Sequence, residues 1–324
     1  MNGFEHLISF FEENLEKQKF GYRPSELYAP INYTLSLGGK RIRPILTLMA
    51  CEMYCGDFKH ALPQAIAIEL FHNFTLIHDD IMDNAPIRRG KQTVYKKWNP
   101  NIAILSGDTL FALAYHYAQQ ADKDILPEIL GVFNKTAIEV CEGQQYDLNF
   151  EEQSSVSVEE YIEMIRLKTA VLFAASLKIG SLIGGASDTE AQNLYYFGLN
   201  IGLGFQLQDD LLDTFGDEKI FGKKTGGDIL TNKKTYLFLK ALERSDEKTK
   251  KKLTKLYAHK PANEANKISE VKEIFNQFNV AEACNELIEQ YYQKGMGCLD
   301  NLTISAENKE VLVDVARKMI HREK

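Results

Sequence analysis

Twice along the chain a long apolar run with helical spacing ends in the same acidic pattern, Asp79-Asp80-Ile81-Met82-Asp83 and Asp209-Asp210-Leu211-Leu212-Asp213. On an α-helix the first and fifth positions lie one turn apart on one face. Asp79 and Asp83 therefore point the same way, as do Asp209 and Asp213. Clustered carboxylates repel one another and are costly to bury unless positive charge sits between them. A hard divalent cation with oxygen ligands meets that need, and Mg2+ usually brings phosphate oxygens with it. One such cluster usually marks a solvated helix end. Two, each closing an apolar helix, point to a paired metal site.

Cations follow or precede both clusters. Gly38-Gly39-Lys40-Arg41-Ile42-Arg43-Pro44 places a basic, irregular loop at the start of an apolar run. A loop of this kind at a helix start reads as an anion site or as an exposed basic turn. Arg88-Arg89-Gly90 lies just beyond the first cluster. These arginines either neutralise it or hold an anion that metal bridges to it, because guanidinium forks suit phosphate oxygens. Lys168-Thr169 sits between apolar turns, where a lysine snorkels, pairs or faces an anionic ligand. Gly222-Lys223-Lys224-Thr225-Gly226-Gly227-Asp228 and Asn232-Lys233-Lys234-Thr235-Tyr236 follow the second cluster.

The net charge of -7 argues against a general nucleic-acid or anionic-membrane binder, so an anionic ligand must be met by a local group of cations or metal. Five scattered cysteines, an odd number, do not make a disulfide framework, and Cys51 and Cys55 read as buried thiols. No run approaches the roughly 20 apolar residues of a membrane span. The N-terminus, with Glu5, Glu12 and Glu13, lacks the form of a signal peptide, and the expected location is the cytoplasm.

The rest of the chain reads as helix. Phe4, Leu7, Ile8, Phe11 and Leu15 mark an opening amphipathic helix, and a second runs from about Leu62 to Asp83 until Asn84-Ala85-Pro86 breaks it. Trp98-Asn99-Pro100-Asn101 reads as a loop and Gly107-Asp108 as the opening of the next helix. Ser157 and Glu160 form a capping-box pattern. The run from Ala191 to Phe215 is dotted with Gly198, Gly202 and Gly204, which permit close packing. No β-alternation of useful length is present. The expected fold class is all-α, one domain over residues 1–324 with about a dozen helices.

Together these pieces resemble the trans-isoprenyl diphosphate synthases, the polyprenyl synthetase family. The matching residues are 38–44, Leu76 to Asp83 with Arg88-Arg89-Gly90, Gly143-Gln144-Gln145-Tyr146-Asp147-Leu148, Lys168-Thr169, Phe205 to Asp213, Gly222-Lys223 and Asn232 to Tyr236. They stand in the family's order and spacing over roughly residues 36 to 236. The resemblance implies an isoprenoid-synthase-type helical bundle around a deep central cavity, a homodimer, Mg2+ as cofactor, and head-to-tail condensation of isopentenyl diphosphate with an allylic diphosphate.

It also assigns roles. Asp79, Asp83 and Asp209 hold Mg2+ against the allylic diphosphate, and Asp80, Asp210 and Asp213 complete or support the clusters. Arg88, Lys168, Lys223 and Lys233 meet the leaving diphosphate. Thr169, Gln206 and the Lys168 carbonyl face the allylic cation, and Lys40, Arg43, His72 and Arg89 receive isopentenyl diphosphate. Without the resemblance, His72 and Gln206 read as satisfied core residues. A terpene cyclase, a head-to-head synthase or a non-catalytic synthase subunit fits the same build less well. The second acidic motif and the Lys40, Arg43 and Arg89 set favour an isopentenyl site.

Product length then depends on what closes the space below the first cluster. Phe74 and Phe71 lie about 7.5 and 12 Å down the helix from Asp79. A bulky ring there is either a floor or core packing. Thr75, one residue closer, is small, and the acidic motif carries no insertion. In the family this pattern resembles archaeal-type C20 synthases, so the expected product is geranylgeranyl diphosphate, with farnesyl diphosphate (C15) as the alternative. Phe71 argues against products beyond C25.

Overall fold

The computed structural model describes residues 2–216, 225–258 and 263–320. Their helices are α1 (Asn2–Glu16), α2 (Ser25–Ser36), α3 (Ile42–Cys55), α4 (Leu62–Met82), α5 (Val94–Lys97), α6 (Pro100–Ala118), α7 (Leu126–Glu152), α8 (Val158–Ile165), α9 (Val171–Ile183) and α10 (Asp188–Phe215). They continue with α11 (Gly227–Leu230), α12 (Tyr236–Arg244), α13 (Glu247–Ala258), α14 (Glu264–Gln277), α15 (Val280–Asp300) and α16 (Ala306–Ile320). The class is all-α, as expected. A small hairpin of β1 (Ile87–Arg88) and β2 (Lys91–Gln92), with Arg88 opposite Lys91, is the one strand pair among the described residues. Strands of two residues leave no alternation for sequence reading to find. None of the described helices is long and apolar enough to cross a membrane.

The chain divides into two compact units. One comprises Met1–Asn134 and Ala175–Gln192, the other Lys135–Ala174 and Asn193–Lys324. In the first, α4 is buried on nearly all sides, with Ala65, Ile66, Ala67, Ile68, Leu70 and Phe71 at 2% exposure or less. That is why its sequence is apolar all round rather than striped. In the second, Leu194, Phe197, Ile201, Leu203, Leu207 and Leu211 of α10 line the core.

Helix ends follow local chemistry. Ser157 Oγ accepts the Glu160 N–H at 3.1 Å, while Glu160 Oε2 accepts the Ser157 N–H at 2.7 Å, so the capping box is present. At α6 the expectation is corrected. Asn99 Oδ1 accepts the Ile102 N–H at 2.9 Å and Pro100 takes the first helical position. The helix thus starts inside the stretch read as a loop, and Gly107-Asp108 falls in its middle. A good N-cap followed by proline outweighs an interior glycine. Of the two thiols expected to be buried, Cys51 is buried and Cys55 is exposed at the end of α3.

Between α8 and α9 the chain makes one widened turn, a π-helical turn over Arg166–Ala170. Such turns are rare and frequent at functional sites. This one carries Lys168 and Thr169. Replacing Ser157 by Ala should lower unfolding stability by about 1 kcal/mol, read from the midpoint of urea denaturation. An unchanged midpoint would mean that the box does not hold α8.

Candidate active site

In the first unit the end of α4 carries Asp79, Asp80 and the C-cap residue Asp83. Asp80 is 4% exposed, and its Oδ1 accepts from both Nε and Nη2 of Arg88 at 2.8 Å. Burial pushes the Asp80 carboxyl up, and Arg88 draws it back. Asp80 is therefore fastened inward by the hairpin, while Asp79 is half-buried and Asp83 exposed at the helix end.

The loop before α3 sorts its cations by backbone shape. Arg41 has φ +48°, is buried, and pairs with buried Glu69 at 2.5 Å and with the Leu35 carbonyl at 2.8 Å. It anchors the loop. Arg43, two residues on, reaches His72 with Nη1 3.3 Å from Nε2. Burial, then Arg43, Arg89, Arg88 and Arg41, push the His72 pKa well down, so the ring is neutral and accepts from Arg43. Burial lowers the Arg43 guanidinium to about 10, still a cation at neutral pH. Arg89, at φ +51°, donates from Nη1 to the Gly38 carbonyl. Gly39, at φ +148°, holds a backbone conformation that favours glycine, and a Cβ there would stand 2.9 Å from that guanidinium. Lys40 is exposed beside this group. The structure thus brings Arg43, His72, Arg88 and Arg89 together, with Glu69 beneath them. Burial lowers the Arg89 pKa, Glu69 opposes it, and Arg41 and Arg88 lower it further; an anion relieves the repulsion among the guanidinium groups.

Below Asp79, the Phe74 ring lies 4.8 Å from His78, 5.6 Å from Phe71 and 5.0 Å from Phe111 of α6. Phe71 is 1% exposed and reaches Phe133 at 5.6 Å, so it is a core residue. Phe74 is half-buried, and Thr75 turns its hydroxyl to the His72 carbonyl at 2.8 Å.

In the second unit a cavity of about 290 Å³ is lined by Asp147, Tyr161, Lys168, Thr169, Gln206, Asp209, Asp210, Asp213, Asp228 and Lys233, with other residues. The π-helical turn presents Lys168 and Thr169 there. A Cβ on Gly143 of α7 would fall 2.3 Å from the Lys168 nitrogen, so glycine is what lets α7 lie against the turn. Lys168 Nζ pairs with Asp147 Oδ2 at 2.5 Å. Thr169 Oγ1 donates to Gln206 Oε1 at 3.1 Å, and Gln206 Nε2 donates to Asp210 Oδ1 at 3.0 Å. The Tyr161 hydroxyl donates to Asp210 Oδ2. Asp213 Oδ2 accepts the Asp228 N–H at 2.9 Å, fastening the start of α11. Burial, then Asp213, push the Asp228 carboxyl up to about 7, with Lys233 opposing. Lys223 lies outside the described residues.

Asp147, Tyr161, Asp228, the Arg41–Glu69 pair and Phe111 are features to which sequence reasoning assigned no role. Tyr161 stands seven residues before Lys168, two turns along one helical face, and that spacing was the available signal.

Six carboxylates, Asp147, Glu151, Asp209, Asp210, Asp213 and Asp228, line one small cavity and offer oxygen donors of the kind that suit a hard divalent cation. Among the described residues no three acidic, His or Cys side chains form a ready-made cage. Magnesium bound beside phosphate does not require one, because one or two carboxylates share its shell with water and phosphate oxygens.

A family model described as polyprenyl synthetase matches residues 24–277, which include both acidic motifs. The geranylgeranyl diphosphate synthase of Methanosarcina mazei is 44% identical over 224 residues, 68% of this chain and 69% of that one. The short chain isoprenyl diphosphate synthase of Methanothermobacter thermautotrophicus is 37% identical over 313 residues, 96% and 95% of the two chains. A crystal structure of a geranylgeranyl pyrophosphate synthase, 45% identical, covers 100% of both chains with a TM-score of 0.95. Its fold is the all-α isoprenoid synthase fold, which this chain shares.

The Asp228 environment generates a pH prediction. Between the ordinary carboxyl pKa near 3.8 and about 7, the folded protein keeps a proton that the unfolded chain has lost. The Asp228 contribution to the stability of the metal-free protein must then fall as pH rises through that window. Thermal melts in chelator should show this fall in wild type and a shallower one in Asp228→Asn; equal slopes would remove the assignment.

Proposed function

The chain belongs to the polyprenyl synthetase family; we propose that it joins isopentenyl diphosphate head-to-tail to allylic diphosphates, with geranylgeranyl diphosphate (C20) as its product. The observation that carries this reading is the pairing of two acidic helix ends with two different cationic groups. The arginine–histidine group of the first unit suits a diphosphate that only has to be held. The Lys168 and Lys233 group, beside Thr169 and Gln206, suits a diphosphate that has to leave.

In this reading Asp79, Asp83, Asp209 and Asp213 hold Mg2+, while Asp80 and Asp210 support them by fastening Arg88 and Gln206. When bound, Mg2+ withdraws electron density from the allylic diphosphate. Lys168, Lys223 and Lys233, with Arg88, meet the charge that accumulates on that diphosphate as the C–O bond breaks and the electron pair leaves with it. Thr169, Gln206 and the Lys168 carbonyl turn partial negative charge toward the carbon left behind. Lys40, Arg43, His72 and Arg89 hold isopentenyl diphosphate. Neutral His72 accepts from Arg43 and keeps one N–H to donate to a phosphate oxygen. The isopentenyl double bond supplies the electron pair of the new C–C bond, and loss of one proton, to the departed diphosphate, restores a double bond. Phe74, backed by Phe111, closes the space for the growing chain.

We place the enzyme in the cytoplasm as a homodimer, for which exposed Ile104 (42%) and Leu105 (59%) on α6 offer an apolar contact.

The test is product analysis by mass after incubation with Mg2+, isopentenyl diphosphate and a C5, C10 or C15 allylic primer. C20 product from all three supports the reading. A C15 stop moves the floor, and a cyclised or hydrolysed primer without elongation sinks the synthase assignment. Phe74→Ala should lengthen the product beyond C20; an unchanged distribution means that Phe74 is not the floor. Asp79→Ala and Asp209→Ala should each lower turnover by about 100-fold or more with the melting temperature retained. Near-normal turnover in both would remove the metal assignment.

A further inference from the structure

Gln206 carries an ambiguity that its neighbours resolve. A side-chain amide has an acceptor oxygen and a donor NH2 of nearly the same shape, so either end fits the same space. An ionised carboxylate only accepts; burial, then Asp228, raise the Asp210 pKa, the Tyr161 and Gln206 hydrogen bonds oppose that rise, and Gln206 Nε2 stands 3.0 Å from Asp210 Oδ1. The NH2 end is therefore pinned at Asp210, and Oε1 takes the other side. There the Thr169 hydroxyl donates to it at 3.1 Å, which uses the only hydrogen Thr169 has. Asp210 in turn is held at its second oxygen by the Tyr161 hydroxyl, and Tyr161 is 3% exposed. The bonds run in one sense, from Tyr161 to Asp210 and from Thr169 through Gln206 to Asp210. All four residues line the same cavity.

We infer that Tyr161 is a positioning residue: its hydroxyl fixes Asp210, and through it the polarity with which Gln206 and Thr169 face the reacting carbon. This rests on the synthase reading above. With the order observed, the lone pairs of Gln206 Oε1 and Thr169 Oγ1 remain for the cavity, the sign a carbon losing diphosphate requires. An inverted amide would present N–H groups of the opposite sign. Dipoles held in place before the reaction stabilise developing charge without reorganisation. Tyr161 and Thr169 lie on one continuous segment, α8 and its π-helical turn, whereas Gln206 and Asp210 lie one turn apart on α10. The network therefore also ties the widened turn to α10.

The experiment is steady-state condensation of a C10 allylic diphosphate with isopentenyl diphosphate by the full chain. Tyr161→Phe should lower kcat by about tenfold or more while leaving KM for isopentenyl diphosphate within about twofold. In a Gln206→Leu background the same change should have almost no further effect, because residues acting as a unit are not additive. A multiplicative loss in both backgrounds, or a kcat within about twofold of wild type for Tyr161→Phe, overturns the inference. A second pair of variants leaves Tyr161 in place. In Asp210→Asn the Tyr161 hydroxyl claims the amide oxygen, so an N–H faces Gln206 and inverts it; Asp210→Ala leaves Gln206 unconstrained. The nearly isosteric Asp210→Asn should then be slower than Asp210→Ala, and the reverse order overturns the inference. Wild type that fails to condense the two substrates sinks the synthase reading and this inference with it; working wild type with additive variants sinks the inference alone.

Discussion

Asp147, Glu151, Asp209, Asp210, Asp213 and Asp228 line one cavity, and among the described residues that line it only Lys168, Lys233 and Lys234 oppose them in charge. Two unit charges 4 Å apart interact by about 4 kcal/mol at an effective dielectric constant of 20. Such a group persists because three of its members are individually held. Asp147 is paired with Lys168, Asp210 accepts from Tyr161 and Gln206, and Asp213 accepts a backbone N–H from α11. Lys234 gives its ammonium to the Phe150 carbonyl rather than to a carboxylate. Burial, and after it the repulsion of Asp213, push the Asp228 carboxyl up to about 7. The second unit therefore stores a demand for positive charge, of the kind that divalent cations meet.

The first unit has the opposite imbalance. Arg41, Arg43, Arg88 and Arg89 gather around His72 with Glu69 below. The buried Arg41–Glu69 pair is weak support for stability as such, but losing one partner leaves an uncompensated buried charge. Its visible effect is positional: it fixes the loop so that Arg43 turns toward His72. Burial, and after it the surrounding arginines, keep His72 neutral, which makes the ring a hydrogen-bonding group rather than one more cation. The second unit thus gathers negative charge around its cavity, while in the first unit positive charge gathers around His72, and the proposed function assigns the leaving and the intact diphosphate to these two groups.

Much of this was legible in the sequence because it depends on short-range periodicity. The Asp-Asp-x-x-Asp spacing places its first and fifth residues on one helical face, and Ser157 with Glu160 caps α8 as their spacing requires. What was illegible depends on backbone changes that leave no compositional mark. A π-helical turn inserts one residue into a helix without a glycine or proline at Arg166–Ala170, so the presentation of Lys168 and Thr169 could be assigned only by resemblance. Arg41 and Arg43 look equivalent as letters; a positive φ at Arg41 sends one inward and leaves the other at the site. The same holds within the acidic motifs. The resemblance has Asp80 and Asp210 complete or support the acidic clusters, and the letters do not show that buried hydrogen bonds also tie Asp80 to Arg88 and Asp210 to Gln206. Phe111, distant in sequence from Phe74, becomes its support only once α6 lies along α4.

The central claim is that the carboxylates of both acidic motifs bind an allylic diphosphate by way of divalent metal. Calorimetric titration of wild type, Asp79→Asn and Asp209→Asn with a non-ionising thiolo analogue of a C10 allylic diphosphate, with and without Mg2+, tests it most directly. The account predicts tight binding by wild type only with Mg2+, and a marked loss of that Mg2+-dependent affinity in each variant. Binding of equal strength without Mg2+, or unaffected by either substitution, would contradict it.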